Sequence, residues 1–201
     1  MNFIGTKTIE TERLILKPQT MDEQKRLWEI LMIPSVNSVY LTTPAKFREK
    51  LKDWSKQEPF YEEKIKHAND SDVFEWSIYL KEDNTCIGKI DYHEYSKEDN
   101  NIEDKSIRGV GWYIDPDYQR KGYATEAAIA TLKYMFEEVE INKIITGAAI
   151  DNPASWKIMD RLGYKKLDYT TMVNYTYQDE PVEVYMYNIT KEDYFNKKDG
   201  E

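Results

Sequence analysis

Gln119-Arg120-Lys121-Gly122-Tyr123-Ala124 is the stretch on which the reading of this chain turns. It follows a strand-like run, Ile107 to Ile114 (I-R-G-V-G-W-Y-I), that is stopped by Asp115-Pro116-Asp117. It opens a run from Gly122 to Glu138 in which Ala124, Ala128, Leu132, Met135 and Phe136 fall on one helical face. Small residues at 122 and 124 let backbone amides approach a ligand closely. Amides at a helix start, where the dipole is positive, form an anion site. Arg120 and Lys121 add charge suited to a pyrophosphate. The same residues also read as an ordinary strand–helix connection with surface basic groups, since glycine is common at turns.

Outward from this segment the chain alternates between strand and helix signals. Upstream, Arg13 to Lys17 reads as a first strand, and Thr20-Met21-Asp22-Glu23 as a capping box opening a helix with Leu27, Trp28, Ile30 and Leu31 on its apolar side. Phe47, Leu51 and Trp54 at i, i+4, i+7 predict a second helix, and residues 56–71 are too polar to assign. Val73 to Leu80 and Cys86 to Tyr95, separated by Asp83-Asn84, read as a hairpin. Lys97 to Lys105 is a charged run that reads as a solvated loop. Downstream, Lys143 to Ile150 reads as a buried strand. Asn152 then caps a helix with Pro153 at its first position, Ile158, Met159 and Leu162 as its core stripe, and Gly163 at its end. Tyr164 to Val173 and Val182 to Ile189 close the chain as two strands. The order β-αα-βββ-α-β-α-ββ is mixed α+β or α/β, not a doubly wound dinucleotide fold.

Composition narrows the function. At 201 residues the chain has the length of a single domain, 1–201, with a core over about residues 10–190. Lys+Arg 28 against Asp+Glu 37 gives a net charge of −9, which argues against nucleic acid and against an anionic membrane surface as partners. One cysteine and two histidines leave little for a disulfide or a metal site, so no metal is expected and a reducing cytoplasm fits. Cys86 reads as a small buried strand residue rather than an acyl carrier. The first ten residues lack a signal-peptide pattern, and the chain has no 18-residue apolar run and no lipidation motif. Gly109-Val110-Gly111 is not a dinucleotide fingerprint, because Ile114 stands where its third glycine belongs; phosphate-loop and nucleophile-elbow patterns are absent too.

Taken as an ordered set, the motifs resemble the GNAT acetyltransferase superfamily. Gln119, Gly122 and Ala124 match the fixed positions of its coenzyme A pyrophosphate motif. Thr11-Glu12-Arg13-Leu14 looks like its first strand, Val110-Gly111-Trp112-Tyr113-Ile114-Asp115-Pro116 like its fourth strand and exit, and Asn152-Pro153-Ala154-Ser155 with Leu162-Gly163-Tyr164 like its Asn-x-x-Ser helix. This version is similar to the branch that includes the ribosomal-protein N-terminal acetyltransferases. The resemblance implies a central, mostly antiparallel, twisted sheet of about seven strands with one splayed pair and flanking helices. It also implies acyl transfer from acetyl-CoA to a primary amine. A protein N-terminus is the favoured acceptor, a small amine such as an antibiotic or polyamine the runner-up, and a non-catalytic acyl-CoA sensor the rival; monomer and homodimer both stay open.

By the same resemblance, the pantetheine arm pairs with the open edge at Trp112, Tyr113 and Ile114, where a backbone N–H can stabilise the oxyanion. Arg120, Lys121, Gly122, Tyr123 and Ala124 with Gln119 hold the pyrophosphate, Asn152 bonds the pantetheine, and Ser155 relays a proton to the leaving thiolate. Asn152 and Ser155 also read as helix-cap residues. Many relatives carry a tyrosine acid one turn further along this helix; here it is Met159. Relatives often place a glutamate base where this chain has Gly109. If the hairpin turns near Asn101, His93 faces Gly109 across the ladder, which nominates His93 as the base beside Asp91 and Glu94 on the same strand. Tyr40, Phe47, Trp54, Phe60 and Tyr61 read either as the border of the acceptor pocket or as core packing.

Overall fold

The computed structural model describes residues 1–95 and 104–199, Asp199 by its backbone only. One eight-stranded sheet spans the molecule in the order β1-β2-β3-β4-β5-β6-β8-β7. Its strands are β1 (Ile9–Glu10), β2 (Leu14–Pro18), β3 (Glu75–Leu80), β4 (Cys86–Glu94), β5 (Ile107–Ile114), β6 (Lys143–Ala149), β7 (Lys165–Val173) and β8 (Val182–Thr190). All pairs are antiparallel except β5 with β6. Every strand expected from the sequence is present within two residues of its expected ends; the eighth is the two-residue β1, too short to leave a period-two signal.

Helices α5 (Tyr123–Glu137), α6 (Pro153–Leu162) and α7 (Lys191–Asp199) join one face of the sheet. There Trp76, Phe74, Ile78, Ile90, Met135 and Phe136 are fully buried. Trp76 meets Tyr92 and Tyr134 edge-on at 6.2 and 5.6 Å, an arrangement in which positive ring edges point at negative ring faces. Tyr194 of α7 stacks on Phe136 at 5.0 Å. The other face of β4 and β5 is covered by α1 (Gln24–Leu31) and α2 (Pro34–Asn37), through Leu27, Ile30, Leu31 and Val36 against Cys86 and Tyr113.

The N-terminal helices depart most from the expectations. Helix α1 starts at Gln24, with Glu23 rather than Thr20 at its cap. Only half of the capping box forms: the Glu23 carboxylate accepts from the Thr20 amide at 2.8 Å and its hydroxyl at 2.5 Å, so Thr20 is a donor and not the cap. The single helix expected around Phe47, Leu51 and Trp54 is three pieces: a 3-10 turn at Ala45–Phe47, α3 (Arg48–Leu51) and α4 (Trp54–Lys66). Phe47 is exposed, so its spacing to Leu51 was coincidental. Helix α4 takes up much of the unassigned 56–71 stretch because Asp53 caps it, accepting from the Ser55 amide at 3.2 Å, while Trp54 stacks on Tyr61 within it and meets Trp28 of α1 at a tilt. The hairpin turn near Asn101 and residues 97–103 of the charged run lie outside the described residues.

Two pairings position the site. In β4–β5 the register is His93↔Gly109, Asp91↔Gly111 and Lys89↔Tyr113, as the symmetry about residue 101 requires. In β5–β6 only Ile107↔Lys143 and Arg108↔Ile144 pair. Beyond them the Val110 carbonyl accepts from the Thr146 hydroxyl at 2.9 Å instead of from a backbone amide, and the strands part. Val110 and Thr146 are both buried, so Thr146→Val leaves that carbonyl without a partner. The expected cost is about 1–3 kcal/mol, read as a lowered urea midpoint; an unchanged midpoint removes this bond from the account of the splay.

Candidate active site

The gap left by the parting strands is the cleft, about 470 Å³, and four segments line it. The open edge of β5 contributes Trp112, Tyr113 and Ile114. The β5–α5 connection contributes Gln119, Arg120, Gly122, Tyr123 and Ala124. The start of α6 contributes Asn152 and Ser155, and the α2 region contributes Val36 and Tyr40. The sequence-predicted cofactor residues therefore meet in one place, except Lys121, which does not line the cleft: its ammonium lies over the Tyr118 ring at 5.1 Å. His93 is also outside the lining, one strand over.

The β5–α5 loop has the geometry of an anion cradle. Arg120 and Gly122 both take positive φ, 62° and 85°, on either side of Lys121. Alternation of this kind turns successive amides toward one concavity, and the first amides of α5 have no intrahelical partner. The Gln119 side-chain amide donates to the Ile114 carbonyl at 2.9 Å, which joins the loop to the end of the open edge. An anionic group such as a pyrophosphate fits this cradle, because the Gly122 position carries no side chain to fill it.

What holds the loop was only partly legible. Arg13, at the entry to β2, donates from Nη1 to the Lys121 carbonyl at 2.9 Å and from Nε to Glu126 at 2.7 Å, with its guanidinium over the Tyr123 ring at 4.6 Å. Glu126 in the first turn of α5 also accepts from the Thr11 hydroxyl at 2.6 Å and the Arg13 amide at 2.9 Å. Burial works against this carboxylate, but the bonds from Thr11 and Arg13 outweigh it and lower its pKa. The Thr11–Leu14 motif thus ties the sheet to the β5–α5 loop, a role that sequence spacing does not disclose because the partners are more than a hundred residues apart.

At the start of α6, Asn152 occupies the cap position but its side chain does not cap the helix. Its amide donates instead to the Ser155 hydroxyl at 3.2 Å. That corrects the capping reading of Asn152 and couples the two residues inside the cleft. Met159, one turn on, is buried in the core.

On the α1 side, β4 presents Lys89, Asp91 and His93 on one face. The Asp91 carboxylate is the hub: Oδ1 accepts from the Tyr40 hydroxyl at 2.7 Å and lies 3.0 Å from Lys89 Nζ, and Oδ2 lies 3.1 Å from His93 Nδ1. Asp91 is buried and Lys89 half-buried, with side chains 9% and 14% exposed, whereas His93 is 58% exposed. Glu75, 3.8 Å from Lys89 and 2.5 Å from Lys64, continues the alternation of sign. Burial alone would raise the Asp91 pKa, but Lys89, His93 and Tyr40 outweigh it and hold the carboxyl well below the usual carboxylate range. Its stabilisation is present above the ordinary carboxylate pKa of about 3.9 and is lost as pH falls below it, so the ladder is charged at neutral pH. A Cβ at Gly109 would run into the His93 ring, and one at Gly111 would lie 3.3 Å from the Tyr40 ring and hydroxyl. Of the other aromatic candidates, Trp54 and Tyr61 stack in the helical layer and Phe47 and Phe60 are exposed, so Tyr40 alone of that group lines the cleft.

A parallel pair that splays, an anion cradle at a helix start and an Asn–Ser pair across the gap define an acyl-CoA transferase class of site. The profile of the acetyltransferase (GNAT) domain matches residues 13–165, and the chain belongs to that family, whose members use acetyl-CoA. It is 33% identical over 89 residues to YnaD of Bacillus subtilis (strain 168), described as an uncharacterised N-acetyltransferase; the match spans 44% of this chain and 48% of that protein. Among solved structures it is similar in fold to ribosomal-protein-S5-alanine acetyltransferase from Vibrio fischeri, with a TM-score of 0.73, 15% identity and coverage of 94% and 98%. It is similar too to the spermidine/spermine N-acetyltransferase SpeG from Vibrio cholerae, with a TM-score of 0.68, 17% identity and coverage of 94% and 99%.

The cradle is open to direct test. Gly122→Val places a β-branched residue at a φ that L side chains rarely adopt, with its Cβ 3.3 Å from Arg13 Nη2. Calorimetric affinity for coenzyme A should fall about tenfold or more, the equivalent of one charge-assisted hydrogen bond, in a protein that still folds. Unchanged affinity in a folded variant removes the cradle assignment.

Proposed function

We propose that this protein is an acetyl-CoA-dependent N-acetyltransferase, a single domain over 1–201 that acts in the cytoplasm on a primary amine, a protein N-terminus by preference. The observation that carries this reading is the continuity of one cleft from the Gly122 cradle, along Trp112–Ile114, to Asn152–Ser155 and Tyr40. The protein-terminus preference draws on the likeness to the S5-alanine enzyme. The likeness to SpeG, together with a net charge of −9 that attracts cations, supports a polyamine as the second reading.

The chemistry is divided between the two sides of the cleft. The acceptor must leave one proton in water and attack the thioester carbon as the neutral amine, and it gives up a second proton as the C–N bond forms. A carboxylate only accepts, so the His93 Nδ1–H donates to Asp91 and the Nε2 lone pair is left free over Gly109 to take that second proton, directly or through a water. A backbone N–H on the open edge of β5 donates to the oxygen that gains charge. As the new C–N bond forms and the C–S bond breaks, Ser155 passes a proton to the departing sulfur, its hydroxyl oriented by Asn152. Gln119, Arg120, Gly122, Tyr123 and Ala124 hold the pyrophosphate, with Lys121 outside the lining. The ring that fills the space above Gly109 favours a transferase over a passive acyl-CoA sensor, because it supplies a base where a glutamate is missing.

Release of free thiol from acetyl-CoA, measured with an N-terminal alanine or serine peptide, spermidine and an aminoglycoside, tests the reading; no turnover with any of them counts against it. His93→Ala should lower kcat/KM by about 10²–10⁴-fold. An unchanged rate excludes the imidazole. Ser155→Ala should lower kcat more than it raises the KM for acetyl-CoA. A lowered melting temperature at wild-type kcat makes Ser155 structural only.

A further inference from the structure

Resting on the transferase reading, the geometry around Asp91 assigns a role to Tyr40, the residue by which the α2 region reaches the cleft. We propose that the Tyr40 hydroxyl, its proton held on Asp91, is a specificity-determining acceptor of one N–H from the substrate, and that it selects primary amines over secondary amines and alcohols.

The direction of the Tyr40–Asp91 bond carries the argument. A carboxylate has no proton to give, so at 2.7 Å the tyrosine must donate. Lys89 at 3.0 Å from the same oxygen also only donates, and with His93 on the other oxygen it keeps the carboxylate charged and fixed in place. Burial, and then the Asp91 charge, push the Tyr40 pKa well above its ordinary value, so the proton stays on the phenol. The ring is steadied by edge-on contact with Tyr113 at 4.9 Å. The only hydrogen-bonding capacity the hydroxyl still has is its lone pairs, and Gly111 beside it carries no side chain to cover them.

The second half is proton counting. Tyr40 lines the cleft and His93 hangs from the other oxygen of the same carboxylate, one strand over, so an amine in the cleft has one acceptor at hand and reaches the second directly or through a water. A neutral primary amine has two N–H groups, one for Tyr40 and one to surrender as the C–N bond forms. A secondary amine or an alcohol has one and satisfies only one of the two. Once substrate fills the cleft and displaces water, an acceptor left unpaired is a penalty against the wrong substrate, the more effective way for a polar pocket to discriminate.

The test compares wild type with Tyr40→Phe on one peptide bearing N-terminal alanine and on the same peptide with N-methylalanine. Wild type should prefer the primary amine, and Tyr40→Phe should narrow the ratio of kcat/KM values about tenfold, the equivalent of one hydrogen bond, with the KM for acetyl-CoA unchanged. An unchanged ratio overturns the proposal, as does a change carried entirely by the acetyl-CoA KM. Should wild type turn over neither peptide, the same pair is measured as thermal stabilisation of the coenzyme A-bound protein. Binding of the primary amine that weakens in Tyr40→Phe upholds the Tyr40 site while the transferase reading falls. Equal binding by both proteins, or none by wild type, overturns the Tyr40 site as well.

Discussion

The parting of β5 from β6 is the constraint on which the remaining arrangement depends. Two residue pairs join these parallel strands before the Thr146 hydroxyl replaces the next backbone donor. From there the edge of β5 has backbone groups that its neighbour does not satisfy, and such groups are costly unless water or a ligand pairs with them. The cleft is therefore not a hollow carved into a finished core but a missing stretch of ladder. Everything that faces it is held by elements anchored elsewhere: α5 by the sheet beneath it, α6 by Met159 and Leu162, and the β5–α5 loop by Arg13 and Glu126.

The two sides of the gap use charge differently. The cradle side is open: its basic groups are at the surface, and its strongest organising feature is backbone geometry at Arg120 and Gly122. The Asp91 side alternates in sign from half-buried Lys64 through Glu75 and Lys89 to buried Asp91. Charges out of water add little net stability when paired, and a partner's removal costs more than the complete pair contributes. They serve to hold hydrogen-bonding groups in fixed directions, as they do for Tyr40 and His93.

Most of the sheet was legible because β-rich apolar runs such as Val73–Leu80 and Ile107–Ile114 are bounded by clear punctuation at Asp83-Asn84, Asp115-Pro116, Asn152-Pro153 and Gly163. The His93↔Gly109 register followed from counting residues about a single turn. The N-terminal helices were less legible: α2, α3 and α4 are short or polar, and α4 is fixed by the Asp53 cap and by aromatic contacts of Trp54 and Tyr61 rather than by periodicity. In the site, residues inside one motif could be read, such as 119–124 and 152–155. The Arg13–Glu126 clamp and the Tyr40–Asp91 bond could not, since each joins residues from distant parts of the chain that only the closed sheet brings together.

The crossing of His93 over Gly109 has an evolutionary consequence. A side chain at 109 and an imidazole from 93 claim the same volume, so the pocket can hold one or the other but not both. Passage between a carboxylate on β5 and a histidine on β4 cannot be a gradual exchange. Either change made first evicts the imidazole or leaves a hole, and its effect depends on whether the other has already occurred. Positions 93 and 109 should therefore vary together among descendants of this site, and grafting a glutamate onto this background would displace the imidazole rather than sit beside it.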